Sequence, residues 1–103
     1  MPDDRREQKA LLSWAQAAPE DPLPWRKLAH LYERRRRPQE WLEALDTLAR
    51  LEPDPEARAA ALLAAAELCV TRLKSDTAAL DRIAQYARVS KKPLPAQLFD
   101  LAR

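Results

Sequence analysis

Two prolines that lie 34 residues apart constrain the architecture of this chain more than any other feature of its sequence. Between Pro19 and Pro53, apolar and aromatic residues recur at steps of three and four, stop, and then start again with the same spacing. Such steps place the residues on one face of a helix. A period of 34 residues is typical of helix-pair repeats. The sequence therefore predicts an all-α fold built from antiparallel helix hairpins.

Composition limits the size and the class of the protein. The chain has 103 residues, which is the size of one small domain. Its 18 basic and 16 acidic residues give a net charge of +2, too balanced to indicate a nucleic-acid or membrane partner by itself. Glycine is absent, so the chain contains no glycine-rich loop for binding phosphate groups. These counts favour a thin helical domain with wide solvated faces.

Prolines, capping residues and apolar spacing together predict about six helices. A residue before proline is disfavoured in helical geometry, so the second helix should end near Arg36, because Arg37 precedes Pro38. Aspartate followed by proline is a helix-start signal that occurs twice, 33 residues apart. The predicted starts are Asp3 or Asp4, Asp21-Pro22, Gln39, Asp54-Pro55 with Glu56, Ser75 or Asp76, and finally Ala96. The predicted ends of the first four helices lie near Ala18, Arg36, Glu52 and Lys74, and the last helix runs to Arg103.

Each predicted helix carries one apolar stripe that we expect to be buried. The stripes follow from spacing alone. In chain order they are Leu11, Trp14, Ala15 and Ala18; Trp25, Leu28, Ala29 and Tyr32; Trp41, Leu42, Leu45, Leu48 and Ala49; Ala59, Leu62, Leu63, Ala66, Cys69, Val70 and Leu73; and Ala79, Leu80, Ile83, Tyr86 and Ala87.

The spacing Trp25-x-x-Leu28-Ala29-x-x-Tyr32 resembles the first helix of a tetratricopeptide repeat, and Pro53 stands where that family places the proline that ends its second helix. The resemblance implies a short right-handed stack of helix pairs. It makes residues 22–55 one full repeat, 3–18 the second helix of a preceding repeat, 56–92 a diverged repeat and 93–103 a terminal or capping helix. Trp41 departs from the family pattern, which usually has a small residue there. A plain bundle of antiparallel hairpins would share nearly all of these boundaries.

The resemblance also implies a partner-binding groove lined by the first helix of each pair. Its ligand would be a peptide or an amphipathic helix of another protein, and an acidic segment is one candidate. Arg26 and His30 stand where some family members hold a carboxylate, but Ala60, Ala61 and Ala64 supply no second set of donors. On this basis the groove should present Leu23, Arg26, Lys27, His30, Glu33 and Arg34 from the first full repeat, and Ala57, Ala60, Ala61, Ala64 and Glu67 from the next.

Few residues could support catalysis, so we expect no enzyme activity, no cofactor and no metal. His30 is the only histidine, so a zinc site would need carboxylates as its other ligands, and a catalytic triad would need His30 to serve Ser13, Ser75 or Ser90 across the fold. Cys69 is the only cysteine and lies on an apolar stripe, where it should act as a small buried hydrophobe. A lone cysteine is compatible with a cytoplasmic location. We expect no signal peptide and no membrane-spanning segment.

The run Arg34–Arg37 is the strongest local concentration of charge. Cations at the C-terminal end of a helix complement its dipole, which gives the run a structural role. Alternatively, the basic patch Arg34, Arg35, Arg36 and Arg37 contacts an acidic partner or nucleic acid. Nearby glutamates, including Glu33 and Glu40, disfavour nucleic acid.

The last predicted helix is apolar enough that it should either fold back over Ile83 and Tyr86 to close the stack or meet a second copy. It contains Leu94, Leu98, Phe99 and Leu101, and an exposed apolar patch is commonly covered by symmetric pairing. The sequence thus predicts a non-enzymatic protein-interaction scaffold. A basic adaptor and a self-assembling repeat module are the alternatives, and weak homodimerisation is expected.

Overall fold

Prolines and short polar caps divide the chain into helices close to the predicted places. A computed structural model describes the backbone of residues 2–90, and burial and side-chain contacts from residue 5 onward. Within that range the all-α prediction is confirmed. The five helices are α1 (Pro2–Ala17), α2 (Leu23–Arg34), α3 (Pro38–Leu51), α4 (Pro55–Thr71) and α5 (Asp76–Val89).

The two aspartate-proline signals produce nearly the same local geometry. The Oδ1 atom of Asp21 accepts a hydrogen bond from the backbone N–H of Leu23 at 3.0 Å. The Oδ1 atom of Asp54 accepts one from the N–H of Glu56 at 3.2 Å. Asp54 is the N-cap of α4, whereas Asp21 precedes the N-cap of α2 by one residue. Each carboxylate satisfies a backbone donor that the first turn of a helix leaves unpaired.

Ser75 is the N-cap of α5, and it is one of the two residues, Ser75 and Asp76, that the sequence predicts for this position. Its Oγ atom accepts a hydrogen bond from the N–H of Ala78 at 3.3 Å. The predicted cap of α1 is wrong, because that helix begins at Pro2 and includes Asp3 and Asp4 in its backbone. The first helix therefore starts before the residue that we expected to cap it.

Helix α2 ends earlier than predicted because the backbone of Arg36 turns into the left-handed region. Its φ is 56°, and the N–H groups of Arg36 and Arg37 return to the carbonyls of Glu33 and Tyr32. This double return is the Schellman arrangement, in which glycine usually occupies the left-handed position. Lys74 has a φ of 53° just after α4. The chain has no glycine, so two long cationic residues take these positions.

The helices pack in chain order, and each makes its main contacts with its neighbours in sequence. The result is five antiparallel, sequentially packed helices in a compact globule. An inner helix therefore has a partner on each side. This arrangement buries α2, α3 and α4 over wider faces than a single stripe can cover.

Burial on two sides explains which core residues the stripe prediction missed. Leu31 is fully buried, and Ala61, Ala65 and Leu68 of α4 lie in the same core cluster as Leu28. Ala61 had been assigned to the groove, and that placement is wrong because α4 packs this residue into the core. In α5 the predicted apolar stripe is wider than the face that is buried. Leu80 is 41% exposed, and Ala87 is exposed as well.

The main core joins α1, α2, α3 and α4, and two smaller clusters join α4 to α5. Ala59, Leu62 and Tyr86 form one of the smaller clusters. Ala66 and Ile83 form the other. The tryptophans at positions 14, 25 and 41 are partly buried and pack against the main core.

The predicted terminal helix, from Ala96 to Arg103, and its apolar residues Leu94, Leu98, Phe99 and Leu101 lie outside the described residues. The homodimer expected from them therefore stays a prediction. Within residues 2–90, no helix combines the length and the hydrophobicity that crossing a membrane requires.

Candidate functional site

A groove with a volume of about 570 Å³ runs between α2 and α4. We call it the α2–α4 groove. Its buried floor is apolar and comes from three helices, and its exposed rim is polar. The floor residues are Ala29, Leu45, Leu48 and Leu68, with Trp41 and Ala64 partly buried beside them, and the rim residues are Arg26, His30, Glu33, Glu67, Thr71 and Arg72.

Five of the eleven residues predicted to line the groove do so: Arg26, His30, Glu33, Ala64 and Glu67. The other six lie elsewhere; of these, Ala61 is in the core and Ala57 is not part of the groove lining. Lys27 and Arg34 line a shallower hollow on the α1 side of α2. Leu23 is 45% exposed, and Ala60 faces a small hollow against α5.

The face that α4 turns toward the groove is therefore rotated from the predicted one. Ala64 lines the groove, whereas Ala60, one turn earlier on the same helix, does not. Thr71 and Arg72 at the end of α4 extend the rim. The sequence of α4 is rich in alanine, so small residues lie on every face of the helix. Its apolar periodicity therefore does not show which face is turned toward the groove.

Arg26 lies on the rim, but its charge is already paired. Its Nε and Nη2 atoms donate to the two carboxylate oxygens of Glu52 at 2.6 and 2.7 Å. The hydrogen bonds that Arg26 donates to Glu52, reinforced by the negative charge of that carboxylate, raise the pKa of the Arg26 guanidinium further above its ordinary value. Glu52 is only 3% exposed. Arg26 thus forms a wall of the groove and neutralises a buried carboxylate.

Glu52 joins three helices at one end of the groove. It is the C-cap of α3, and its N–H donates to the carbonyl of Leu48 at 2.9 Å. Its carbonyl oxygen accepts a hydrogen bond from Nε of Arg58 on α4. These contacts hold the end of α3 between α2 and α4, which fixes the groove at that end.

The sequence analysis missed the role of Glu52. One signal was present, because a carboxylate at the C-terminal end of a helix opposes the helix dipole. Such a residue needs a cation nearby if it is buried. Nothing in the local sequence identifies Arg26, which lies 26 residues earlier, as that cation.

Trp41 lies at the other end of the groove. Together with Glu33 and Arg72 it also lines an adjoining cavity of about 280 Å³ that reaches Arg36 and Pro38. An aromatic ring that is partly buried at the meeting point of two cavities offers a large apolar contact area. Trp41 is the largest apolar side chain among the residues that line the groove.

His30 is exposed, and its Nδ1 atom lies 4.0 Å from Oε1 of Glu33. Within the described part of the chain, no three histidine, cysteine, aspartate or glutamate side chains are grouped closely enough to hold a metal ion. Cys69 is fully buried, as predicted. Burial raises the pKa of its thiol above the ordinary 9.0, which keeps the sulfur protonated and weakly nucleophilic at neutral pH.

The basic run Arg34–Arg37 is divided between two kinds of environment. Arg34 pairs with Glu7 of α1 at 3.3 Å. Nη1 of Arg35 donates to Oε1 of Gln8 at 2.6 Å, and Gln8 in turn donates to the hydroxyl of Tyr32 at 3.2 Å. These contacts connect the end of α2 to α1. Arg36 and Arg37 are exposed on the turn that follows.

The apolar floor, the polar rim and the end held by Glu52 are the main features of the α2–α4 groove. Comparisons with protein-family models, with curated proteins and with solved structures found no match, so the tetratricopeptide resemblance depends on the residue spacing described above.

Proposed function

We propose that this chain is a non-enzymatic protein-interaction module that holds an amphipathic helix of a partner protein in the α2–α4 groove. The observation that carries the proposal is the pairing of a buried apolar floor with an exposed charged rim on both sides. An amphipathic helix presents the complementary pattern, with apolar residues on one face and charges on its flanks.

The rim also suggests what kind of flanks the partner would have. Glu33 contributes negative charge, and Arg72 contributes positive charge. The charge of Arg26 is compensated by Glu52. A partner helix with both signs on its flanks therefore fits this rim better than a purely acidic one, because unlike charges across an interface favour the correct orientation.

We further propose that the helices stack as a short right-handed tetratricopeptide-like array. The repeated aspartate caps of α2 and α4 and the antiparallel packing of successive helices support this arrangement. In such an array α2 and α4 are the first helices of adjacent units, which is where partner segments of that family commonly bind. The groove between them would then be the recognition surface.

The test uses peptides selected from a display library of amphipathic helices, with the folded chain as bait. Replacing Trp14 and Trp25 with phenylalanine leaves Trp41 as the only tryptophan, and its fluorescence then reports occupancy of the groove. We expect selected peptides to change this fluorescence in a saturable way. Peptides that bind without affecting Trp41 would contradict the proposed site.

Two lysine substitutions on α4 provide the matched control. Ala64→Lys places a long cation in the groove, whereas Ala60→Lys places it outside. We expect Ala64→Lys to weaken peptide binding by about tenfold or more, and Ala60→Lys to change it little, because interface energy is concentrated in a few central contacts. Equal effects of the two variants would overturn the proposal.

A further inference from the structure

A second cavity, separate from the α2–α4 groove, lies between α3, α4 and α5 and also has a volume of about 570 Å³. Four arginines line it: Arg50 from α3, Arg58 from α4, and Arg82 and Arg88 from α5. Asp46 is the only acidic residue among the described residues of the lining. The cavity thus gathers four cations from three helices around one carboxylate.

Asp46 neutralises only one of these cations. Nη2 and Nε of Arg82 donate to the two oxygens of Asp46 at 2.6 and 3.2 Å. Nη1 of Arg82 donates to the carbonyl of Ala78 at 3.2 Å. The Arg82 side chain is 18% exposed, and all three of its terminal nitrogens are engaged. Arg82 therefore acts as a fixed wall that joins α3 to α5.

The other three arginines retain donors for a ligand. The hydrogen bond from Arg58 to the carbonyl of Glu52 uses Nε only. Arg50 and Arg88 are exposed, and no hydrogen bond or ion pair joins the side chain of either to another described residue. Like charges gathered in one cavity repel each other, and an anion bound between them would remove that repulsion.

We propose that this arginine-lined cavity binds a small molecule through a diphosphate group. A guanidinium group matches the geometry of phosphate oxygens with two parallel hydrogen bonds. Each phosphate carries between one and two negative charges near neutral pH. Two linked phosphates therefore match three uncompensated arginines, whereas a single carboxylate would leave most of their charge unpaired.

The volume and the lining of the cavity favour a small molecule over a nucleic acid. Its volume falls within the range of about 300–1,000 Å³ that small-molecule sites occupy. Among the described residues that line it there is no aromatic side chain on which a base could stack. Leu62 and Val89 form an apolar wall beside the arginines, which leaves room for a compact organic group attached to the diphosphate.

The experiment is calorimetric titration of the folded chain with inorganic pyrophosphate, at an ionic strength held constant with sodium chloride. We expect saturable binding with a Kd below about 1 mM. Arg50→Gln and Arg88→Gln should each weaken it by about tenfold, because each removes charge-assisted hydrogen bonds to phosphate. Both arginines are exposed, so circular dichroism should show unchanged helix content in the two variants.

Arg72→Gln is the control, because it removes the same charge from the rim of the α2–α4 groove. It should leave the pyrophosphate affinity within about twofold of the parent value, since an exposed distant charge is largely screened. Equal weakening by Arg72→Gln, or no saturable binding by the parent chain, would overturn the proposal.

A second titration with adenosine diphosphate distinguishes the two sources of the diphosphate group. Affinity that equals or exceeds that of pyrophosphate would assign the site to a nucleotide-like ligand, and weaker affinity would assign it to the inorganic anion. A single-stranded oligonucleotide that binds more tightly than either, and depends equally on Arg50 and Arg88, would instead show a nucleic-acid surface and refute the proposed ligand.

Discussion

The carboxylate of Glu52 is almost wholly buried, and both of its oxygens accept hydrogen bonds from the half-exposed guanidinium of Arg26. The pair joins the end of α3 to the first turns of α2. Water can solvate one member of this pair far more easily than the other. The two residues should therefore respond differently to substitution.

We predict that Arg26→Gln destabilises the fold more than Glu52→Gln does. Removing the arginine leaves a buried carboxylate without its cation, whereas removing the carboxylate leaves a cation that water can still reach. The double variant should recover about half or more of the stability that Arg26→Gln loses, because it contains no unpaired charge. Urea unfolding of all four proteins measures these differences. Additive losses would show that the two side chains are not coupled.

Tyr32 and Tyr86 test the connection between α1 and α2. Both rings are buried, but only the hydroxyl of Tyr32 takes part in a hydrogen bond to another described residue, Gln8. Tyr32→Phe should cost about 0.5–1.5 kcal/mol, the typical net contribution of one hydrogen bond. Tyr86→Phe is the matched control and should be close to neutral. Thermal unfolding compares them, and equal losses would exclude a stabilising role for the Gln8 contact.

Arg36 offers a substitution that should stabilise the protein. Its φ of 56° lies in the left-handed region, which costs a residue with a Cβ atom about 1–2 kcal/mol. Glycine removes that cost but adds about 0.5–1 kcal/mol of chain entropy in the unfolded state. Arg36→Gly should therefore gain a few tenths to about 1 kcal/mol.

Arg37→Gly is the control for this gain. The φ of Arg37 is −110°, so glycine relieves no strain there and should lower stability. The two variants remove the same charge from the same turn. If both change stability equally, charge and not backbone conformation is the cause.

The presence of each helix could be predicted from the sequence, because the signals that start and end a helix are local. Prolines, caps and three-four spacing act within a few residues, and they placed the starts of α2 to α5 and the ends of α2 to α4 within about three residues of the observed ones. Helices α2 and α4 end two and three residues earlier than predicted, because no glycine marks the left-handed residues Arg36 and Lys74 that follow them.

The packing of each helix could not be predicted in the same way. Leu31 and Ala65 are fully buried because α2 and α4 each lie between two other helices, and a single apolar stripe describes only one such contact. The ion pairs Arg26–Glu52 and Arg82–Asp46 join residues 26 and 36 positions apart. Their partners are decided by tertiary structure, so local spacing carried no information about them.

Cys69 leads to a prediction about stability in alkaline solution. Burial raises the pKa of its thiol above the ordinary 9.0. The folded state then keeps a proton that the unfolded state releases, so the stabilising contribution is complete below about pH 9 and declines as the pH rises through the raised folded pKa. Each unit of pH in that window should cost at most about 1.4 kcal/mol for this one group.

The measurement is the free energy of unfolding in urea between about pH 8 and pH 10, for the parent chain and for Cys69→Ala. The pKa of Tyr32 is also raised, from 10.0, mainly by burial, so readings are kept below that value and repeated in the Tyr32→Phe background. Cys69→Ala should be less stable at pH 8, because it removes a buried sulfur, but its stability should fall less steeply with pH. Parallel curves for the two proteins would mean that the thiol ionises as easily in the folded state as in the unfolded chain, and that the core around α4 admits water.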